Sequence, residues 1–153
     1  MRILVIDGQG GRIGCGIIEQ LRKIGFDGEI LAVGTNSTAT QAMMKAGADR
    51  GATGDNPVAV NAAEADIITG PVGIIAANSL MGEVTPRMAY SVAASRAKKI
   101  LVPVSRCNIA MAGTQELTLN EYIAKAAEMI QAQGHCQGPG NTAFMHKNDS
   151  ESH

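Results

Sequence analysis

Four glycines stand within seven residues in Gly8-Gln9-Gly10-Gly11-Arg12-Ile13-Gly14, directly after the apolar run Ile3-Leu4-Val5-Ile6 and a single Asp7. Ile13, Ile17, Ile18, Leu21 and Ile24 then recur at helical spacing. Strand, glycine turn and helix in that order aim backbone N–H groups and the positive end of a helix at the turn, where a phosphate can sit. Gly8, Gln9, Gly10, Gly11, Arg12 and Ile13 are therefore predicted to bind a nucleotide, provided that the turn's N–H groups are free. Against G-x-G-x-x-G the match is Gly8 and Gly10, with Ile13 third and Gly14 one residue late. Against G-x-x-x-G-I-G it is Gly8, Ile13 and Gly14, with Arg12 in place of a glycine. The alternative is that the glycines only permit a tight turn and close packing. Asp7 would repel a phosphate unless a cation or hydrogen bond intervened, and a helix-capping role for it is the other option.

The second strand of an NAD site ends in Asp or Glu, which binds the adenine ribose. Here that region is Gly34, Thr35, Asn36 and Ser37, also predicted to bind the nucleotide and neutral throughout, while Arg12 brings a cation to the first loop. If the ligand is a dinucleotide, this pair of features favours NADP over NAD. Arg12 as a solvated surface residue is the plainer alternative. A second glycine loop, Gly70-Pro71-Val72-Gly73, adds Gly70, Pro71 and Gly73 to the predicted binding residues.

Groups for a reaction are harder to find. A Tyr-x-x-x-Lys pair is absent, since Tyr90 is followed at that spacing by Ala94 and Tyr122 by Ala126. The first histidine is His135, which excludes a histidine base in the core. The catalytic candidates are Glu83, Cys107 and Asn108. Glu83 is the one acid in a glycine-rich loop and could also be a helix-start carboxylate. Cys107 follows a strand beside Arg106, which would lower its pKa, but a buried inert thiol fits as well. Cys15 lies in a first helical turn, where the dipole could activate it or packing could account for it. His135, Cys136 and His146 could bind a metal adventitiously, but a floppy tail is the plainer home for them, and no metal is predicted.

The elements that must position these residues alternate. Helices are expected over Arg12 to Lys23, closed by Gly25, and over Thr38 to Ala46, closed by Gly47. Strands are expected at Glu29–Val33, Arg50–Thr53, Asp66–Gly70 and Ile100–Val104, where Pro103 suggests a sheet edge. Pro57 starts a short segment to Glu64 that reads as helix or extended chain, and Ile74 to Met81 reads as helix. Thr85-Pro86 is a cap followed by a first helical residue, for a helix through Ala97. Thr118-Leu119-Asn120-Glu121 is a capping box, flanked by Leu117 and Tyr122 as a hydrophobic staple. Five strands alternating with helices predict a three-layer, doubly wound α/β parallel sheet, Rossmann-like, in the order 3-2-1-4-5. Residues 1–133 form its single domain, and the Gly/Pro/Asn/His/Ser-rich stretch 134–153 is expected to be a disordered tail.

Bulk properties narrow the partners. The 153 residues are 45% apolar, with a formal net charge of −1 and 3% aromatics, which offers neither a basic footprint nor stacking platforms for nucleic acid. No apolar run is long enough for a membrane. Three cysteines without paired spacing, and no leader ahead of the first strand, predict reduced thiols and a cytoplasmic location. Ile74, Ile75, Met81, Met88 and Met111 add apolar surface that predicts a homo-oligomer.

Together, Ile6-Asp7-Gly8-Gln9-Gly10-Gly11, Ala32-Val33-Gly34-Thr35-Asn36-Ser37, residues 46–54 (AGADRGATG), Gly70-Pro71-Val72-Gly73-Ile74 and Met81-Gly82-Glu83-Val84-Thr85-Pro86 resemble a family of small bacterial Rossmann-like proteins known only as a domain of unknown function. The resemblance covers residues 1–130. It implies a cytoplasmic single-domain Rossmann-like protein and supplies no activity. The family pattern has glycine at position 12, so an NADP preference resting on Arg12 would not extend to relatives. The leading expectation is a nucleotide- or dinucleotide-binding module with a sensing or partner-dependent role. Its rivals are a small enzyme whose site is completed across a subunit interface and a structural subunit without ligand.

Overall fold

Residues Arg2–Asp7 form β1, whose Ile3, Leu4, Val5 and Ile6 are all buried. A strand apolar on both faces needs cover on both, as a parallel sheet flanked by helices provides. A computed structural model, described for residues 1–104 and 108–135, has that arrangement. The elements run β1, α1 (Arg12–Lys23), β2 (Glu29–Gly34), α2 (Ser37–Ala46), β3 (Arg50–Thr53), α3 (Asp55–Ala62), β4 (Ile67–Pro71), α4 (Pro86–Ala94), β5 (Lys98–Val102) and α5 (Leu119–His135). All strand pairs are parallel, and the order is β3-β2-β1-β4-β5. Ile3 and Val5 pack with Ile17, Ile18 and Leu21 of α1, Met43 of α2 and Ile123 and Ile130 of α5. Leu4 and Ile6 face the other way, into Val58 of α3 and Met88 and Val92 of α4. The expected three-layer α/β fold and its strand order are thus found.

Sequence signals set several boundaries. Gly25, at φ 83°, closes α1 with bonds from its own N–H to Arg22 and from Phe26 N–H to the Leu21 carbonyl, a Schellman ending. Thr85 Oγ1 accepts from Met88 N–H at 3.0 Å, with Pro86 opening α4 as expected. The capping box is closed in both directions, Glu121 N–H to Thr118 Oγ1 at 3.2 Å and Thr118 N–H to Glu121 Oε2 at 3.1 Å.

Other expectations need correction. Residues 74–81 are not a helix. One 3₁₀ turn, Val72–Ile75, gives way to a loop in which Asn78, Leu80, Met81 and Gly82 all have positive φ, which a right-handed helix excludes. Helix α4 ends at Ala94 rather than Ala97, because Ser95 turns extended and its hydroxyl accepts from Ala97 N–H at 3.0 Å. Strand β5 is one of the two edge strands, but it ends before Pro103 instead of containing it, since proline offers no N–H to a ladder. Helix α3 begins at Asp55, two residues before Pro57. Among the described residues no helix is long and apolar enough to cross a membrane. The 136–153 stretch and Cys107 lie outside the described residues.

Candidate functional site

The strand order reverses between β1 and β4, and in open parallel sheets ligands bind beyond the carboxyl ends of the strands at such a point. A cleft of about 660 Å³ opens there, within the range of small-molecule sites. One wall is the glycine loop: Asp7, Gly8, Gln9, Gly10, Gly11, Arg12 and Ile13 all line it. The opposite wall is apolar, with Pro71, Val72 and Leu80 from the β4 side, and Pro103, Val104, Ile109, Ala110, Met111, Leu117, Leu119 and Tyr122 from β5 to α5. Thr114 and Gln115 add polar groups at that end.

The loop's N–H groups are partly spent inside the protein. Asp7, only 4% exposed, accepts from Gly8 N–H at 2.7 Å and from Gly14 N–H at 2.8 Å. The N-cap position of α1 is taken by Gly11, so Asp7 is not the N-cap residue, but its carboxylate satisfies a first-turn amide of the helix from β1. Burial raises its carboxyl above the ordinary 3.8, the Gly14, Gly8 and Ile13 amides pull it back, and repulsion from Glu83 adds to the rise. Gly11 N–H bonds the Gly8 carbonyl at 2.9 Å. Gln9, held at φ 49°, gives its N–H to Glu83. Among the described residues the N–H groups of Gly10 and Arg12 have no protein acceptor. The wholly free loop that the sequence reading required is thus reduced to two amides, with the exposed Arg12 side chain beside them.

Glycine is needed at two points of this rim for steric reasons. A Cβ on Gly14 would lie 2.4 Å from Met43 Sδ and 3.1 Å from Asp7 Cβ, so α1 could not approach β1 as it does. Gly70, at φ 151°, would place a Cβ 2.1 Å from the Ile6 carbonyl oxygen. Gly10 has no neighbour within 4 Å and faces open space. Gly70 and Gly73, predicted as ligand contacts, do not line the cleft, whereas Pro71 does.

The end of β2 is occupied by a group from far along the chain. Glu83 Oε1 accepts from the Thr35 hydroxyl at 2.9 Å and from Asn36 Nδ2 at 2.7 Å, and the Gln9 N–H reaches both carboxylate oxygens at 3.1 and 3.2 Å. Asn36 also donates to the Gln9 carbonyl at 3.0 Å, and its Oδ1 caps α2 at Ala39 N–H. Thr35 and Asn36 therefore hold Glu83, and none of Gly34, Thr35, Asn36 and Ser37, predicted as ligand contacts, lines the cleft. The neutral β2 end on which the NADP preference rested is in fact next to a carboxylate. Burial would raise that carboxyl, but the bonds from Asn36, Gln9 and Thr35 outweigh it and hold it below the ordinary 4.5.

Of the other candidates, Asn108 is exposed at φ 52° outside the cleft, next to the lining residue Ile109. Cys15 packs against the core, and burial, with Glu19 and Asp7 nearby, raises its thiol rather than activating it. Glu83, Gln9, Thr35 and Asn36 were each singled out by type, but their bonding to one another was not. Apart from Pro71, the apolar wall was missed, because its residues come from the end of an expected strand, from loop and from a helix start.

The family model for a domain of unknown function (DUF3842) matches residues 2–135, the whole of the fold just described. The chain belongs to this family. No curated protein matches this chain. Among solved structures, a dodecameric FMN-dependent UbiX-like decarboxylase from Escherichia coli O157:H7 aligns at 17% identity over 91% of this chain and 96% of that one, with a TM-score of 0.51. That likeness is one of fold. The crystal structure of AibC aligns at 18% identity over 87% of this chain and 39% of that one, with a TM-score of 0.44, too low to relate the two folds.

Proposed function

We propose that this protein binds a small nucleotide-type molecule in the cleft at the β1–β4 switch point, and that it does so as a homo-oligomer. The observation that carries the reading is the joining of unlike walls in one cleft. Two unpaired amides, at Gly10 and Arg12, and a guanidinium stand at one side, and a continuous apolar wall ending at Tyr122 stands at the other. A phosphate matches the first and a planar ring system the second. The FMN named for the similarly folded decarboxylase combines those two features, which makes FMN the first compound to try. When bound, FMN would bring redox chemistry, while Gly10 and Arg12 would hold its phosphate and Val72, Val104 and Tyr122 its ring. NADP is the weaker choice, because a 2′-phosphate at the end of β2 would meet the Glu83 carboxylate. Small-molecule binding also suits a sensing role better than stand-alone catalysis, since among the described residues the one carboxylate lining the cleft, Asp7, is committed to two amides.

Titration of the protein into FMN, followed by flavin fluorescence, tests this. Saturable binding is expected, weakened at least about tenfold, or ~1.4 kcal/mol, in Gly10→Ala. The added methyl meets no protein atom, so the folded state should be unchanged and only the approach of a ligand to the backbone hindered. No saturation by FMN, AMP or NADPH would sink the reading.

A further inference from the structure

A ligand spanning both halves of a doubly wound sheet crosses from the glycine turn to the end of the second strand, where its adenosine rests. In this protein that passage is closed. The Gln9 N–H, the Thr35 hydroxyl and the Asn36 amide all converge on the Glu83 carboxylate, at 2.7 to 3.2 Å. These are the turn amide and the strand-end polar groups that a pyrophosphate and a ribose would need. Neither Glu83 nor any residue of the Gly34–Ser37 loop lines the cleft, which runs the opposite way, toward β5 and α5.

The closure is built rather than incidental. Leu80 and Met81 adopt left-handed conformations at φ 53° and 56°, unusual for bulky side chains, and Gly82 continues them at 89°. Asn78 N–H to the Val84 carbonyl at 2.7 Å and Val84 N–H to the Ser79 carbonyl at 3.2 Å hold this left-handed turn. The Thr85 hydroxyl fastens its far end to Asp55, which Arg87 also engages at 2.6 Å. The same loop puts Leu80 into the cleft wall and Glu83 across the β1–β2 passage. We infer that Glu83 is the specificity-determining residue of this site: it closes the β1–β2 side and restricts the ligand to a mononucleotide. The inference rests on the cleft being a nucleotide site, as proposed above.

FMN and FAD share the flavin and differ by an added adenosine monophosphate, so the pair isolates the closed passage. For the wild-type protein, fluorescence titration should give an FMN affinity at least about a hundredfold, or ~2.7 kcal/mol, above that for FAD. Glu83→Ala should raise FAD affinity by at least about tenfold while leaving FMN affinity within about threefold. Equal wild-type affinity for the two flavins, or an unchanged FAD affinity in a Glu83→Ala protein that still binds FMN, overturns the inference and leaves the cleft reading intact. Failure of FMN to bind the wild type overturns the inference, and failure of AMP and NADPH as well overturns the cleft reading. Circular dichroism establishes that the variant folds. Should Glu83→Ala not fold, Glu83→Gln keeps the bulk and removes the charge, and a gain in FAD affinity supports the inference while none overturns it.

Discussion

Asp7 and Glu83 bring two carboxylates to the Gly8–Gln9 turn, and folding shifts them in opposite directions. Asp7 is raised, by burial above all, so the folded protein holds its proton more tightly than the unfolded chain does. Its ionisation weakens the fold as the pH rises from the ordinary 3.8 through the folded-state pKa. Glu83 is lowered, despite burial, by bonds from Asn36, Gln9 and Thr35. Its contribution is complete above the unfolded carboxyl range and is lost as the pH falls through the folded-state value. Glu83→Gln should therefore be less stable than wild type at neutral pH by roughly 1 kcal/mol, the scale of a hydrogen bond to a charged group discounted for partial exposure. Urea unfolding should show that gap narrowing once the pH drops below the ordinary 4.5. A gap that stays constant into acid would mean that the carboxylate's charge contributes nothing there.

At the scale of elements, the sequence was legible where local chemistry decides the conformation. Helix α1 was readable from its apolar period and Gly25, and the alternation of strands and helices gave the order of the sheet. Pro86 after Thr85, and Glu121 three residues after Thr118, mark the starts of α4 and α5 because the capping bonds are made within a single turn. Residues 76–83 were not legible. Their left-handed turn is stabilised by bonds to Val84, and its end is fixed by Asp55, a residue of another helix, so no local signal reveals it. The direction of the cleft was missed for a related reason: glycine loops marked the rim, but only the fold brings Val72, Val104 and Tyr122 to one side of it. The α5 capping box gives a direct check on the coupling between an element and the site. Thr118→Ala removes the acceptor for Glu121 N–H and should cost about 1 kcal/mol. Because Leu117, Leu119 and Tyr122 of that first turn and its approach form cleft wall, FMN affinity should fall along with the melting temperature. Loss of stability with unaltered affinity would separate the wall from the ligand.

Over the whole molecule, one sheet serves two cores, and the surface left over is uneven. Ile74 and Met88, expected to add exposed apolar area, are instead buried at 1% and 4%, filling the core on the α3–α4 side. Ile75, Met81 and Met111 do remain outside, and Met81 is 96% exposed. Tyr90, on the outer face of α4, is 74% exposed, and α4 packs against the 3₁₀ turn that carries Ile75. Ile75 and Tyr90 thus lie on elements that pack together, and exposed apolar side chains so placed mark a contact surface for which a second copy is the simplest occupant. Sedimentation equilibrium at micromolar concentration should give a multiple of the 15.9 kDa chain mass. Met81→Asp isolates the surface from the fold, since the side chain touches little and aspartate tolerates the left-handed backbone at φ 56° better than methionine does. This variant should shift toward the monomer while keeping its circular dichroism spectrum and its FMN affinity. Wild-type protein that sediments as a monomer would remove self-association altogether. A multimer that Met81→Asp leaves unchanged would move the interface away from the loop that holds Glu83.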